Sequence, residues 1–248
     1  MGYGEPALII TDGGLAGLLA CFMEGVCRPA ASLPRDKHGA SEPAAQSTAW
    51  FWWSGHAEQE REAREASARA GLGVCHLAQL VVPLVEEERL ATGQRPARPS
   101  GETLSKMLLL AGSDAIKRGL SRLIWPAHLG GPGGSSERLA DHSGGLDAIA
   151  DVCDRAMAAA RLLSLDAGPE GFSIQTPFVD FTDAQIADLA SDVDLPLEQA
   201  FLGSAEGIGA SEYRRWAKAL SVVGLDMPPV PSRLTTTVLG SVSRLKAV

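Results

Sequence analysis

The stretch ALIITDGGLAGLLACF, residues 7–22, places a short apolar run directly before a glycine pair and a second apolar run after it. This order predicts a β-strand, a tight turn and an α-helix. Gly13 and Gly14 lack a Cβ atom, so they can adopt positive φ, and the N–H groups at the N-terminus of the following helix can converge on an anion. The stretch therefore predicts a phosphate-sized site, although the same turn also occurs wherever a parallel strand passes tightly into its crossover helix.

The composition is that of a globular protein with one α/β core. The chain has 248 residues, of which 45% are hydrophobic and 21% charged, enough for one domain with or without a small appendage. Its net charge of −8 argues against a nucleic-acid partner, because binding a phosphate backbone needs a clustered positive field. The four cysteines form no C-x-x-C pair, so neither a zinc knuckle nor a disulfide scaffold is indicated.

The sequence also predicts a cytoplasmic protein without a membrane partner. No apolar run approaches the roughly 20 residues that a membrane span needs. The N-terminus also lacks the basic region of a signal peptide.

Strand and helix patterns alternate along the rest of the chain. Residues 28–47 are rich in Pro, Ala and Ser and predict a surface insertion. Further strands are predicted at 48–53, 73–82, 120–128 and 173–176, and further helices at 58–71, 105–118, 145–165 and 183–191. Such alternation requires right-handed crossovers, which predicts an α/β fold: a three-layer sandwich with a mostly parallel sheet between helices.

Ligands of such sheets bind at the carboxyl ends of the strands, so the turns that follow strands are the candidate sites. The candidates are Asp12–Gly14, Ser54–His56, His128–Gly134 and the approach to Asp180. Trp52 and Trp53 are predicted as core residues, one of which could instead stack on a base from the strand end.

Three stretches resemble the N-type ATP pyrophosphatases, the PP-loop superfamily, and within it the 7-cyano-7-deazaguanine synthases of queuosine biosynthesis. The family loop S-G-G-L-D-S is similar to residues 12–17, DGGLAG. Its G-x-x-H-type turn resembles Ser54-Gly55-His56, and its T-P-(apolar)2-D-(apolar)-T-K-A-E-I stretch is similar to residues 176–186, TPFVDFTDAQI. The resemblance implies an adenine-nucleotide α-hydrolase-like (HUP) domain over 1–200 and a small helical extension over 201–248.

The resemblance also implies an ATP-dependent ligase or amidating enzyme. Such an enzyme attaches AMP to a carboxylate or carbonyl oxygen, releases pyrophosphate and lets a nucleophile displace AMP, while Mg²⁺ offsets the phosphate charge. The small-molecule substrate would be nucleobase-like or a carboxylate. The residues expected to bind the cofactor are Thr11, Asp12, Gly13, Gly14, Leu15, Gly17, Ser54, Gly55, His56 and Lys106.

His128 and Asp180 are the candidate catalytic residues. His128 ends the fourth predicted strand, where an imidazole could carry a proton or could be an ordinary rim histidine. Asp180 could hold Mg²⁺ or a substrate amine, or could cap the helix that follows. Lys106 could face phosphate or be a surface lysine.

The departures from the family pattern favour a second interpretation. Asp12, Ala16 and Gly17 replace polar residues of the family loop, and a misplaced carboxylate opposes phosphate by on the order of a few kcal/mol. The family's four zinc cysteines have no counterpart in residues 202–216, so we expect no zinc. The alternative is a catalytically inactive paralogue that acts as a ligand-binding or assembly partner, and we expect a homodimer.

A second copy of the family string, SGGLDA at residues 143–148, lies outside the expected context. It follows a polar stretch rather than a buried strand, so it is interpreted as the start of a helix. Arg138, Asp141 and His142 precede it and could form a lid over a ligand or an ordinary solvated loop.

Overall fold

A computed structural model describes residues 5–26, 47–52, 58–70, 76–79, 99–130, 142–168, 171–203 and 210–228. Most of the predicted insertion, the turn Ser54–His56, Trp53, and the lid candidates Arg138 and Asp141 lie outside these residues, as does the side chain of His142.

Within the described residues, five parallel strands form one sheet, which confirms the α/β prediction. The strands are β1 (Ala7–Thr11), β2 (Thr48–Phe51), β3 (His76–Gln79), β4 (Arg122–Ile124) and β5 (Ser173–Gln175). Their order in the sheet is β3-β2-β1-β4-β5, with Ile9 of β1 in register with Ala49 on one side and Ile124 on the other. The chain builds outward from β1 to β3 and then returns to the other side of β1. The strand order therefore reverses between β1 and β4, which is the switch point where open α/β sheets bind ligands.

Six helices and one short 3₁₀ turn are found in the described ranges. They are α1 (Leu15–Val26), α2 (Glu58–Ala70), α3 (Gly101–Lys117), α4 (His142–Ser164), α5 (Asp183–Asp192), the 3₁₀ turn Leu197–Gln199, and α6 (Ala210–Val222).

Two element boundaries differ from the prediction for identifiable reasons. The helix predicted from residue 105 begins at Gly101, because the Ser100 hydroxyl accepts a hydrogen bond from the Thr103 N–H and caps it. The strand predicted over 120–128 spans only Arg122–Ile124, and Pro126 has no backbone N–H with which to continue the pairing. His128 therefore lies beyond the strand, in the segment that leads away from the sheet.

Each face of the sheet carries its own apolar core. Ala7 and Ile9 point to a cluster that includes residues of α1, α5 and α6, whereas Leu8 and Ile10 point to a cluster built with α3 and α4. Trp216 of α6 is almost fully buried in the first cluster, so this helix completes the core on that face. The result is a three-layer sandwich.

None of the helices within the described ranges is both long enough and apolar enough to span a bilayer.

Candidate functional site

A cleft opens at the carboxyl ends of β1 and β4, at the switch point of the sheet. It encloses about 550 Å³ of atom-free space, including the part that is open to solvent. Its walls come from the turn after β1, the segment after β4 and one face of α6. The lining residues are Ile10, Thr11, Asp12, Gly14, Leu15, Ala16, Gly17, Trp52, Leu104, Trp125, Pro126, Ala127, His128, Glu212, Arg215 and Trp216.

The turn after β1 is held by its own side chains. The Gly13 N–H donates to Thr11 Oγ1 at 3.1 Å, and the Gly14 N–H donates to Asp12 Oδ1 at 2.9 Å. Gly13 has a φ of +83°, and a Cβ atom there would lie 2.2 Å from the backbone oxygen of Arg64. The predicted need for glycine at position 13 is therefore confirmed. The N–H groups of both glycines thus donate to side chains of the turn itself.

Arg64 on α2 connects the turn to α6. Its side chain is 5% exposed, Nη1 donates to Asp12 Oδ2 at 3.0 Å, and Nη2 donates to Glu212. The guanidinium lies over the ring of Phe201, 4.4 Å from its centroid. The Phe201 N–H in turn donates to the backbone oxygen of Gly13. A buried cation thus fixes the carboxylate that the sequence places in the turn.

His128 lies in the opposite wall and contacts Asp183. It is 5% exposed, and its Nε2 lies 3.0 Å from Asp183 Oδ1. A carboxylate oxygen accepts, so Nε2 is assigned as the donor. The Nδ1 atom of the same ring is buried and has no hydrogen-bond partner among the described residues.

Trp216 packs beside His128, with the ring centroids 6.2 Å apart. Its Nε1, which can only donate, is likewise buried without a partner in the described part of the chain. Buried polar atoms without partners are uncommon, and two of the five found among the described residues belong to side chains that line the cleft.

Arg215 completes a charged network along the cleft. Its guanidinium donates to the backbone oxygen of Gly130 and lies 3.5 Å from Asp183 and 3.6 Å from Glu212. The network therefore contains three carboxylates, those of Asp12, Asp183 and Glu212, and two guanidinium groups.

The structure brings many of the predicted site residues together. Six of them line the cleft, and Gly13 belongs to the same turn; the six are Thr11, Asp12, Gly14, Leu15, Gly17 and His128. Ser54, Gly55 and His56 lie outside the described residues. Trp52 belongs both to the core cluster below the cleft and to its wall.

Lys106 and Asp180 do not lie in the lining of the cleft. The Lys106 side chain is 47% exposed and pairs with Glu102 at 2.9 Å, on the outer face of α3. This pair lowers the pKa of the Glu102 carboxyl, because Lys106 donates a hydrogen bond to it and contributes a nearby positive charge. Asp180 is exposed. The interpretation of Asp180 as a helix cap is wrong, because Thr182 caps α5 in a reciprocal capping box with Gln185.

The string SGGLDA lies within the first turns of α4, so the prediction of a helix here is confirmed, but α4 already begins at His142 and its first turn contains no acidic residue; the expected N-cap at Ser143 and first-turn position of Asp147 are wrong. Leu146 in this string is 70% exposed, which is typical of a helix surface.

The sequence analysis did not identify five residues of the site: Arg64, Asp183, Glu212, Arg215 and Trp216. Arg64 carries a weak signal, since it lies within a buried stripe of α2 that includes Ala68. The other four residues belong to α5 and α6. The sequence pattern of a helix indicates which face is buried, but it does not indicate which residues of other elements contact that face.

Two further findings bear on identity and cofactors. Comparison with models of known protein families gives no match, and no curated protein sequence matches this chain. Within the described residues, no group of three or more His, Cys, Asp or Glu side chains is placed to hold a metal ion.

Proposed function

We propose that this chain is a divergent PP-loop protein of the adenine-nucleotide α-hydrolase-like type, which binds a nucleotide or nucleobase-like ligand in the cleft between β1 and β4. The proposal depends mainly on one observation. The strand order β3-β2-β1-β4-β5 places the turn at Asp12–Gly14 and the segment ending at His128 on the two sides of the switch point, with the cleft between them.

The chemistry of the lining supports a planar ligand. Trp52, Trp125 and Trp216 belong to the lining, and aromatic rings stack readily on a heterocyclic base. His128 and Trp216, which also line the cleft, each hold a buried ring nitrogen that has no partner among the described residues.

The turn does not fit a triphosphate in the arrangement that the structure shows. A phosphate cradle needs N–H groups that are available, whereas those of Gly13 and Gly14 donate to Thr11 and Asp12. The Asp12 carboxylate also stands where negative phosphate oxygens would approach. We therefore derive no catalytic step through ATP and Mg²⁺.

These contacts favour the inactive paralogue, which keeps the ligand site without pyrophosphatase chemistry. An ATP-dependent ligase resembling 7-cyano-7-deazaguanine synthase is the competing form of the proposal. In that form Asp12 would have to leave the Gly14 N–H, so that the turn and the Arg64 guanidinium could receive phosphate.

Ligand titration tests the proposal. Isothermal calorimetry, with tryptophan fluorescence as a second signal, would use adenosine, guanosine, AMP, and ATP with Mg²⁺. We expect at least one of these to bind saturably. His128→Ala should weaken that binding at least tenfold, whereas Arg161→Ala, at an exposed position of α4, should leave it unchanged. Thermal melting would check that both variants fold.

Two outcomes would change the conclusion: the absence of ligand binding, and the release of pyrophosphate. If none of the four compounds binds at millimolar concentration, the proposal is wrong. If ATP binds and pyrophosphate is released when ammonia and a carboxylate are supplied, the ligase replaces the inactive paralogue.

A further inference from the structure

The geometry points to the Asp12–Arg64 pair as a specificity-determining element, which excludes phosphate from the cleft and selects an uncharged nucleoside or base over its triphosphate. This inference rests on the proposed function, because it concerns which member of a nucleotide series the same cleft accepts.

The first argument concerns hydrogen-bond donors. Asp12 uses both of its carboxylate oxygens: Oδ1 accepts from the Gly14 N–H at 2.9 Å, and Oδ2 accepts from Arg64 Nη1 at 3.0 Å. The carboxylate thus occupies both a backbone donor and a guanidinium donor that a phosphate would use. To reach these donors, a phosphate would have to displace the Asp12 carboxylate, which is covalently part of the protein and competes at every ligand concentration.

The second argument concerns how firmly Asp12 is held. Arg64 is nearly fully buried, and its other terminal nitrogen is engaged by Glu212. Its guanidinium also rests on the Phe201 ring. Moving Asp12 away would leave a buried cation with one carboxylate fewer, which is unfavourable in a partly dry environment.

The third argument concerns charge. Arg64 is shared by Asp12 and Glu212, and Arg215 is shared by Glu212 and Asp183. Two guanidinium groups therefore serve three carboxylates in the described part of this network. The Asp12 carboxylate within it repels a polyanion, but it does not repel a neutral heterocycle.

The remaining lining suits the neutral ligand. The lining is mainly apolar, with three tryptophans and the aliphatic side chains of Ile10 and Leu104, and His128 and Trp216 each hold a buried ring nitrogen without a partner among the described residues. Recognition would depend on the base rather than on the phosphates.

The experiment measures, by calorimetry, the affinities of the unmodified protein for adenosine and guanosine and for ATP and GTP with Mg²⁺. We expect the preferred nucleoside to bind at least tenfold more tightly than its own triphosphate. This measurement needs no variant, so it cannot be confounded by misfolding.

Asp12→Asn then tests the role of the pair. The amide oxygen can still accept from the Gly14 N–H and so preserve the turn, while the negative charge is removed and Arg64 is released from one partner. We expect triphosphate affinity to rise at least tenfold and nucleoside affinity to stay within twofold. Asp188→Asn removes the same charge at an exposed position of α5 and should change neither affinity.

The outcomes separate the inference from the proposed function. Triphosphate binding as tight as nucleoside binding in the unmodified protein would overturn the inference and leave the ligand site standing. An unchanged nucleoside-to-triphosphate ratio in Asp12→Asn would also overturn it. If the unmodified protein bound none of the four compounds, the proposed function itself would fail.

Discussion

Replacing Arg64 by methionine tests whether the buried ion pairs around the turn are needed for the stability of the fold. Methionine keeps an unbranched, largely apolar side chain of similar reach, so contact with the Phe201 ring is partly preserved. The change removes the guanidinium that holds Asp12 at 3.0 Å and that also pairs with Glu212. Two carboxylates would then face each other across the turn without the cation between them.

The expected size of the effect follows from burial. Removing one partner of a buried ion pair typically costs about 3–5 kcal/mol, because the other charge stays in place without compensation. Asp12 and Glu212 are 26% and 20% exposed, so water can partly solvate the carboxylates that remain. We therefore expect a loss near the lower end of this range, about 3 kcal/mol of the free energy of unfolding.

Urea denaturation followed by circular dichroism would measure this loss. Arg118→Met is the matched control, because Arg118 pairs with Asp114 at 2.8 Å but is 43% exposed. Exposed pairs of this spacing contribute only about 0.3–0.5 kcal/mol. A loss below about 1 kcal/mol in Arg64→Met would refute the reasoning, since it would match a surface pair rather than a buried one.

Three further substitutions test individual contacts. Gly13→Ala should cost more than about 2 kcal/mol in a urea titration, because positive φ is unfavourable for alanine and its Cβ would meet the backbone oxygen of Arg64; a neutral result would show that the turn has another conformation. Trp216→Phe should lower the free energy of unfolding by about 2 kcal/mol in the same urea titration, because Trp216 is 1% exposed in the core and the smaller ring leaves a cavity there; a neutral result would contradict the packing of this side chain in the core. Thr182→Ala should cost about 1 kcal/mol, measured by thermal melting, because it removes the capping box with Gln185; an unchanged melting temperature would contradict this.

Local sequence pattern was sufficient to predict the class of the fold. The apolar run of β1 and the alternation of strand and helix patterns predicted a parallel sheet with helices on both faces, and the structure confirms it. Gly13 was also predictable, because a tight turn from strand to helix requires positive φ at a residue without Cβ. These features depend on neighbouring residues, so they are encoded within short windows of the chain.

Only the location of the candidate site was predictable from the sequence, not the contacts of its charged residues. The position of the turn after β1 and of His128 follows from the rule that parallel strands end at the same edge of a sheet. The part played by Asp12 was not predictable in the same way. From the sequence it is a carboxylate that opposes phosphate, whereas in the structure it is a hydrogen-bond acceptor within the turn and the partner of Arg64.

The sequence by itself determined the layers of this protein, the tight glycine turn and the edge of the sheet where a ligand would bind. Only the tertiary structure decided which charges meet there: Arg64 and Glu212 form an ion pair across 148 positions of sequence, and Asp183 reaches His128 across 55. The physical reason is that helical periodicity shows which face of a helix is buried but not what that face contacts. Partners of buried charges are selected when α2, α5 and α6 pack around the sheet.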